Sequence, residues 1–183
     1  KKMQDILKED GIIVKAYNDI YEDVKSLQGK VLLDDLLVNY QICSNLNCEI
    51  VKMTNPTQYF KAIKNETEIN ATKNAHLKDG VAMTKFMYWL KTNVGKIDLD
   101  EVIISDKLEE FRKEQADFYD LSFDTICGYK ENAALMHYKA LPEKCAKVTD
   151  EGMLLIDSGG QYIDGTIDTT RTFVLGEISD IER

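Results

Sequence analysis

Leu154-Leu155-Ile156-Asp157-Ser158-Gly159-Gly160-Gln161-Tyr162-Ile163-Asp164-Gly165-Thr166-Ile167-Asp168-Thr169-Thr170-Arg171-Thr172 is the stretch on which the reading of this chain turns. An apolar run, Met153 to Asp157, predicts a buried strand that ends in a carboxylate. That is an expensive place for a charge unless it is paired or metal-bound. Gly159, Gly160 and Gly165 let the backbone fold tightly. Gln161–Ile163 and Ile167–Leu175 then predict returning strands, a hairpin-like path that carries Asp168 back beside Asp157. Two carboxylates held close repel each other unless a cation lies between them. Oxygen ligands alone favour Mg, Mn or Ca, and an added histidine admits Mn, Co or Zn. By spacing alone, a polar hairpin with turn aspartates fits these residues as well.

Outward from this stretch, composition narrows the class. The chain has 183 residues, 44% hydrophobic and 30% charged, with a net charge of −9. That is the make-up of a folded globular protein of one ordinary domain or two small ones. Eight acids and two bases lie between Asp150 and Arg183, so most of the acidic excess sits there. Such an excess is ordinarily a solvated surface, and it is also what a hard-cation site looks like. An acidic chain is a poor partner for nucleic acid, which calls for clustered Lys and Arg. No apolar run is long enough to span a bilayer. The first residues lead into no signal sequence, so a cytoplasmic protein is expected, with no membrane partner. Cys43, Cys48, Cys127 and Cys145 show no metal or redox spacing and are read as free thiols.

Up to about residue 60 the pattern alternates. Gly11–Tyr17 reads as a strand, Asp19–Leu27 as helix and Lys30–Asp34 as a short buried strand. Leu36–Leu46 follows as helix and Cys48–Met53 as strand, an α/β unit that Thr54-Asn55-Pro56 breaks. Asn65 and Glu68 then form a capping-box start, and Met83, Phe86, Met87, Leu90 and Val94 mark one inward helical stripe. A second helix is expected from Asp98, with Ile104, Leu108 and Phe111 inward and Glu109, Glu110, Arg112 and Lys113 outward. Leu121–Cys127 and Ala133–Tyr138 read as strands.

The quoted stretch strongly resembles the metal-binding strand pair of the aminopeptidase P (Xaa-Pro aminopeptidase) family, in the pita-bread metallopeptidase superfamily. It carries Asp-Ser-Gly-x-Gln-Tyr-x-Asp-Gly-Thr-x-Asp-x-Thr-Arg-Thr in order. Leu121–Ile126, Ala134–Tyr138, Ala75–Gly80 and Phe86–Leu90 also resemble it, so the likeness runs from about Asn55 to Gly176. The resemblance implies an α/β (α+β) architecture: residues 1–60 as the end of a middle, creatinase-N-like domain, and residues 61–183 as the first half of a pita-bread catalytic domain. It implies hydrolysis of the residue preceding proline at a peptide N-terminus, by a hydroxide bridging two divalent ions. Manganese is the first expectation, with zinc or cobalt as alternatives.

Asp157 and Asp168 correspond to metal ligands, two of the five. The other three, one histidine and two glutamates, are absent from this chain, which is therefore expected to be an inactive part of the enzyme. His137 corresponds to an active-site histidine that contacts substrate. Arg171 looks like a structural partner of nearby carboxylates. His76 and Asp79 read as helix-surface residues, and Asp124 and Asp164 as strand or turn residues. Lys130 departs from the small residue common in its loop. A homodimer is expected for the complete protein. The alternative is a non-peptidase on the same fold, either a creatinase-like hydrolase or a binding and dimerisation module.

Overall fold

In the computed structural model, which describes residues 2–183, contacts divide the chain into a unit ending at Ile63 and a unit Lys64–Arg183. The first unit contains helix α1 (Lys2–Glu9), the short helix α2 (Ile20–Asp23), strand β1 (Lys30–Leu33), helix α3 (Tyr40–Asn45), strand β2 (Glu49–Lys52) and helix α4 (Pro56–Ala62). β1 and β2 pair in parallel, from Lys30 opposite Glu49 to Leu33 opposite Lys52. Parallel neighbours need a crossover, and α3 lies in it. Only Leu33 of β1 is buried, so this strand is less enclosed than its apolar run predicts.

Three expectations fail in this unit. Gly11–Tyr17 is not a strand: residues 12–16 are irregular, and Ile13 is 82% exposed. A β-branched run becomes a strand by pairing and packing, and this one has no ladder. The helix expected from Leu36 starts only at Tyr40, where Asn39 caps it by accepting the Ile42 N–H at 2.9 Å. Asn55-Pro56 starts a helix and does not simply break a pattern: Asn55 accepts the Thr57 N–H, and Pro56 occupies the first turn of α4, where its missing N–H costs nothing.

The second unit is built on helix α5 (Glu66–Asn93). Asn65 accepts the Glu68 N–H at 2.9 Å, and the Glu68 carboxylate accepts the Asn65 N–H at 2.8 Å. This reciprocal box satisfies two of the donors that a helix start leaves free. Strand β3 (Leu99–Asp100) leads into helix α6 (Glu101–Lys113), whose cap is Asp100 and not Asp98. Strands β4 (Phe118–Leu121), β5 (Ile126–Tyr129), β6 (Lys147–Val148), β7 (Met153–Ser158), β8 (Gly160–Tyr162), β9 (Gly165–Thr166) and β10 (Thr169–Val174) follow. The strand expected over Leu121–Cys127 is therefore two strands, with a bend between them. The strand expected over Ala133–Tyr138 is a 3-10 turn at Lys130–Ala134 followed by a left-handed residue, His137, at φ 54°.

One antiparallel sheet runs β10-β7-β5, and a smaller one runs β4-β8-β9. Met83, Phe86 and Leu90 of α5 and Ile104 and Leu108 of α6 pack with Cys127, Tyr129, Leu154, Ile156 and Phe173 of the larger sheet. Phe86 meets Phe173 edge-on at 5.9 Å. Met87, expected in the inward stripe, is 41% exposed.

The clearest correction concerns charge. Asp79 and Arg112 were expected on helix surfaces, yet they are 2% and 0% exposed. Arg112 Nε donates to Asp79 Oδ1 at 2.8 Å, Nη2 donates to Oδ2 at 3.1 Å, and the Tyr162 hydroxyl adds a third donor at 3.1 Å. The paired, planar fork is what makes burial tolerable, because a charge left alone there is not. The ion pair ties α5 to α6, and Tyr162 ties β8 to both. Removing one partner by Asp79→Ala should lower unfolding stability by about 3–5 kcal/mol. Removing the α5 cap by Asn65→Ala should cost about 1 kcal/mol. Chemical denaturation measures both, and equal losses would contradict this ranking.

Candidate metal centre

Alternation along β7 decides where its carboxylate goes. Leu154, Ile156 and Ser158 are buried, while Met153, Leu155 and Asp157 occupy the opposite, more open face. Asp157 has Ile126 of β5 across from it on one side and Thr170 of β10 on the other. Its Oδ1 is buried and has no hydrogen-bond partner. A carboxylate oxygen withheld from both water and donors is strongly destabilising unless a cation takes its charge. The atom fits a metal ligand for that reason.

Asp168 immediately precedes β10, whose first residue, Thr169, pairs with Ser158. It lies two positions before Thr170, so strand alternation puts it on the face that bears Asp157. Diagonal neighbours of this kind are about 7–8 Å apart at Cα, a span one or two cations can bridge. Asp168 is exposed, and among the described residues neither carboxylate receives a hydrogen bond.

The link between the two aspartates is held tightly. The Ser122 N–H donates to the Gly159 carbonyl at 3.0 Å, its hydroxyl donates to the Ile167 carbonyl at 2.7 Å, and the Ile167 N–H donates to the Gly160 carbonyl at 2.9 Å. A Cβ on Gly159 would lie 1.7 Å from the Ile167 oxygen, so only glycine allows this approach. β8 and β9 form the hairpin beyond it, with Gln161 opposite Thr166. At its tip, Asp164 accepts from Asn74 and Lys78 of α5. Burial pushes the Asp164 carboxyl up, but these donors outweigh it and hold the group below the ordinary carboxylate range. Asp164 is thus a turn residue anchored to a helix.

His137 is placed differently. Its loop leaves β5 at Tyr129, opposite Leu154, the far end of the pairing from Asp157. The loop then folds back over Gly128, where a Cβ would lie 2.8 Å from the Ala133 backbone. Gly128 pairs with Leu155, so this crossing lies on the Asp157 face of the sheet. His137 is exposed and makes no hydrogen bond to either aspartate. Arg171 is opposite Ile156, on the helix side of the sheet, and its Nη1 donates to the Thr170 carbonyl at 2.7 Å. Among the described residues, no hydrogen bond or ion pair joins Arg171 to a carboxylate. His76 bonds the Thr72 carbonyl along α5, and Asp124 pairs with Lys139 on the surface. Among the described residues no three His, Cys, Asp or Glu side chains converge as a metal site. All four cysteines are free thiols.

Sequence reasoning took Glu101 only as a capping partner three residues after Asp98; it is fully buried and accepts four donors. Its only signal was position: it follows directly on a short strand, at the inward start of a helix.

Two helices on one face of an antiparallel sheet, with a tight hairpin's paired carboxylates toward the other, are the architecture of the first part of a pita-bread fold. The chain belongs to metallopeptidase family M24, whose profile matches residues 70–183; the Creatinase/Prolidase N-terminal domain profile matches residues 1–68. It is 36% identical to aminopeptidase P2 of Arabidopsis thaliana, over 100% of this chain and 30% of that protein. It is 40% identical to Xaa-Pro aminopeptidase 1 of Dictyostelium discoideum, over 91% of this chain and 28% of that one. The X-prolyl aminopeptidase of Caenorhabditis elegans, described as a cytosolic enzyme with a di-nuclear active site, superposes with a TM-score of 0.86 at 27% identity, over 99% of this chain and 31% of that structure. The chain thus spans about a third of the length of the curated relatives it matches.

Two glycines give opposite expectations. Gly159→Ala should destabilise the second unit, because its methyl meets the Ile167 carbonyl. Gly80→Ala, mid-helix with nothing within 4 Å of the added Cβ, should stabilise it by about 0.5–1 kcal/mol. Urea unfolding of the two variants checks the pair, and a gain at Gly159 would contradict the close approach.

Acid should act through Asp164. Its carboxyl is lowered in the fold, so its stabilisation is present above its unfolded value near 3.8 and is lost as pH falls through the lower folded value. Asp164→Asn should flatten that acid limb in a pH series of unfolding midpoints, and an unchanged limb would contradict it.

Proposed function

We propose that this chain contributes to a metal-dependent Xaa-Pro aminopeptidase, which hydrolyses the peptide bond between an N-terminal residue and a following proline. The observation that carries the reading is the buried, undonated Oδ1 of Asp157, with Asp168 on the same face of the hairpin. The names of the relatives support the substrate class. Residues 1–60 would be the end of the middle domain, and residues 61–183 the first half of the catalytic domain.

Asp157 and Asp168 would hold two divalent ions, manganese first among them, with one histidine and two glutamates from outside this chain. When bound, such ions supply a water acidic enough to attack at neutral pH and polarise the scissile carbonyl. The chain's own residues do the rest. Asp157 presents an oxygen already stripped of water, in a rigid strand position. Asp168 presents a solvent-facing carboxylate at the mouth of the same face. His137, exposed on its turn, is available to hydrogen-bond the substrate. A cytoplasmic location and a homodimer belong to the same proposal; no described helix is long and apolar enough to cross a membrane. A metal-free, creatinase-like hydrolase is the weaker reading, since it leaves Asp157 Oδ1 without a partner.

In the complete enzyme, Asp157→Asn should cut release of the N-terminal residue from an Xaa-Pro peptide by more than about a hundredfold, beyond what loss of an outer hydrogen-bonding partner costs. Bound metal should fall with it. Full activity at full metal content would overturn the assignment. The isolated 183-residue chain should release nothing, and turnover by it would contradict the need for outside ligands.

A further inference from the structure

We infer that Glu101 is the positioning residue for the loop that carries His137. Glu101 opens α6 and is 0% exposed. Its Oε1 accepts the Tyr129 N–H at 2.8 Å and the Asn132 side-chain amide at 3.0 Å. Its Oε2 accepts the Tyr138 hydroxyl at 2.7 Å and the Ala146 N–H at 2.8 Å. Those four groups lie at the start, in the turn, beside His137 and at the end of the 129–146 segment. One carboxylate therefore fixes the whole excursion from β5 to β6.

Every partner donates and none accepts, which matches a carboxylate and no other side chain of this size. The first turn of a helix also favours negative charge. Tyr138 shares its hydroxyl with Asn132 at 3.1 Å, so the network is closed on itself. Burial, then the Glu101 carboxylate, pushes the Tyr138 hydroxyl up, which keeps it a donor at every working pH.

The loop is strained where this network grips it. Lys130 and His137 both sit at positive φ, 48° and 54°, and neither is glycine. Such conformations persist when the surroundings over-determine them. Between the grips, Leu135, Met136 and His137 are left exposed, Met136 at 91%. His137 directly precedes the tethered Tyr138, so its place is set through Glu101.

The consequence for catalysis rests on the reading of His137 as an active-site residue, and the test separates the two. In the complete, metal-loaded enzyme, Glu101→Gln turns one acceptor into a donor facing donors. It should lower kcat about 10- to 100-fold, as loss of an outer partner does, with both metal ions retained. In a His137→Ala background the same change should cost less than about twofold, because coupled residues are not additive. An equal loss in both backgrounds would overturn the inference.

Limited trypsin digestion reads the loop itself. Cleavage after the exposed Lys139 and Lys144 should accelerate in Glu101→Gln while the α5 lysines stay protected, and an unchanged rate would overturn the clamp. If Glu101→Gln does not fold, Tyr138→Phe and Asn132→Ala each remove one donor and should give the same pattern at smaller size. A parent enzyme without peptidase activity would sink the aminopeptidase reading alone, since the trypsin rates still decide the clamp.

Discussion

Asp157 Oδ1 is closed off from water and receives no hydrogen bond, and the surrounding elements keep it so. β5 and β10 flank it with Ile126 and Thr170. The Gly159 approach to the Ile167 carbonyl turns the chain within a few residues and returns Asp168 to the same face. The helices α5 and α6 fill the other face with apolar side chains, so the sheet cannot flip its register without burying charge in that core. The carboxylate pair is thus a product of the fold's alternation and not of a flexible loop.

Of the carboxylates in the second unit, Asp79, Glu101 and Asp157 each meet a different fate. Asp79 is neutralised by the Arg112 fork and the Tyr162 hydroxyl. Glu101 is satisfied by four donors and no cation. Asp157 alone has an oxygen left without either. A protein that meets this demand twice with its own side chains, and leaves it unmet once, points to a ligand at the third position. The first two also have a shared result. Through Tyr162, Asp79 steadies the hairpin between the aspartates, and Glu101 steadies the His137 loop.

Much of this was legible in the sequence where signals are local. The Asn65–Glu68 box is two residues three apart, and it placed the start of α5 correctly. The Asp157–Asp168 hairpin followed from an apolar run, three glycines and a return strand. What was illegible depends on partners distant in sequence. Arg112 sits among charged neighbours on a helix, and only Asp79, 33 residues earlier, makes its burial tolerable. Glu101 looked like a capping residue because its donors lie 28 to 45 residues downstream. Gly11–Tyr17 has strand composition, but among the described residues it pairs with no strand. Ala133–Tyr138 has strand composition too, yet the tether to Glu101 coils it into a turn.

Anomalous diffraction from crystals of the complete enzyme soaked in Mn²⁺ would test the central claim most directly. The account predicts a manganese peak about 2–2.6 Å from Asp157 Oδ1, the span of hard-cation bonds to oxygen, with an Asp168 oxygen in the same cluster. No peak at saturating Mn²⁺, with Asp157 Oδ1 hydrogen-bonded to a protein donor in its place, would contradict it.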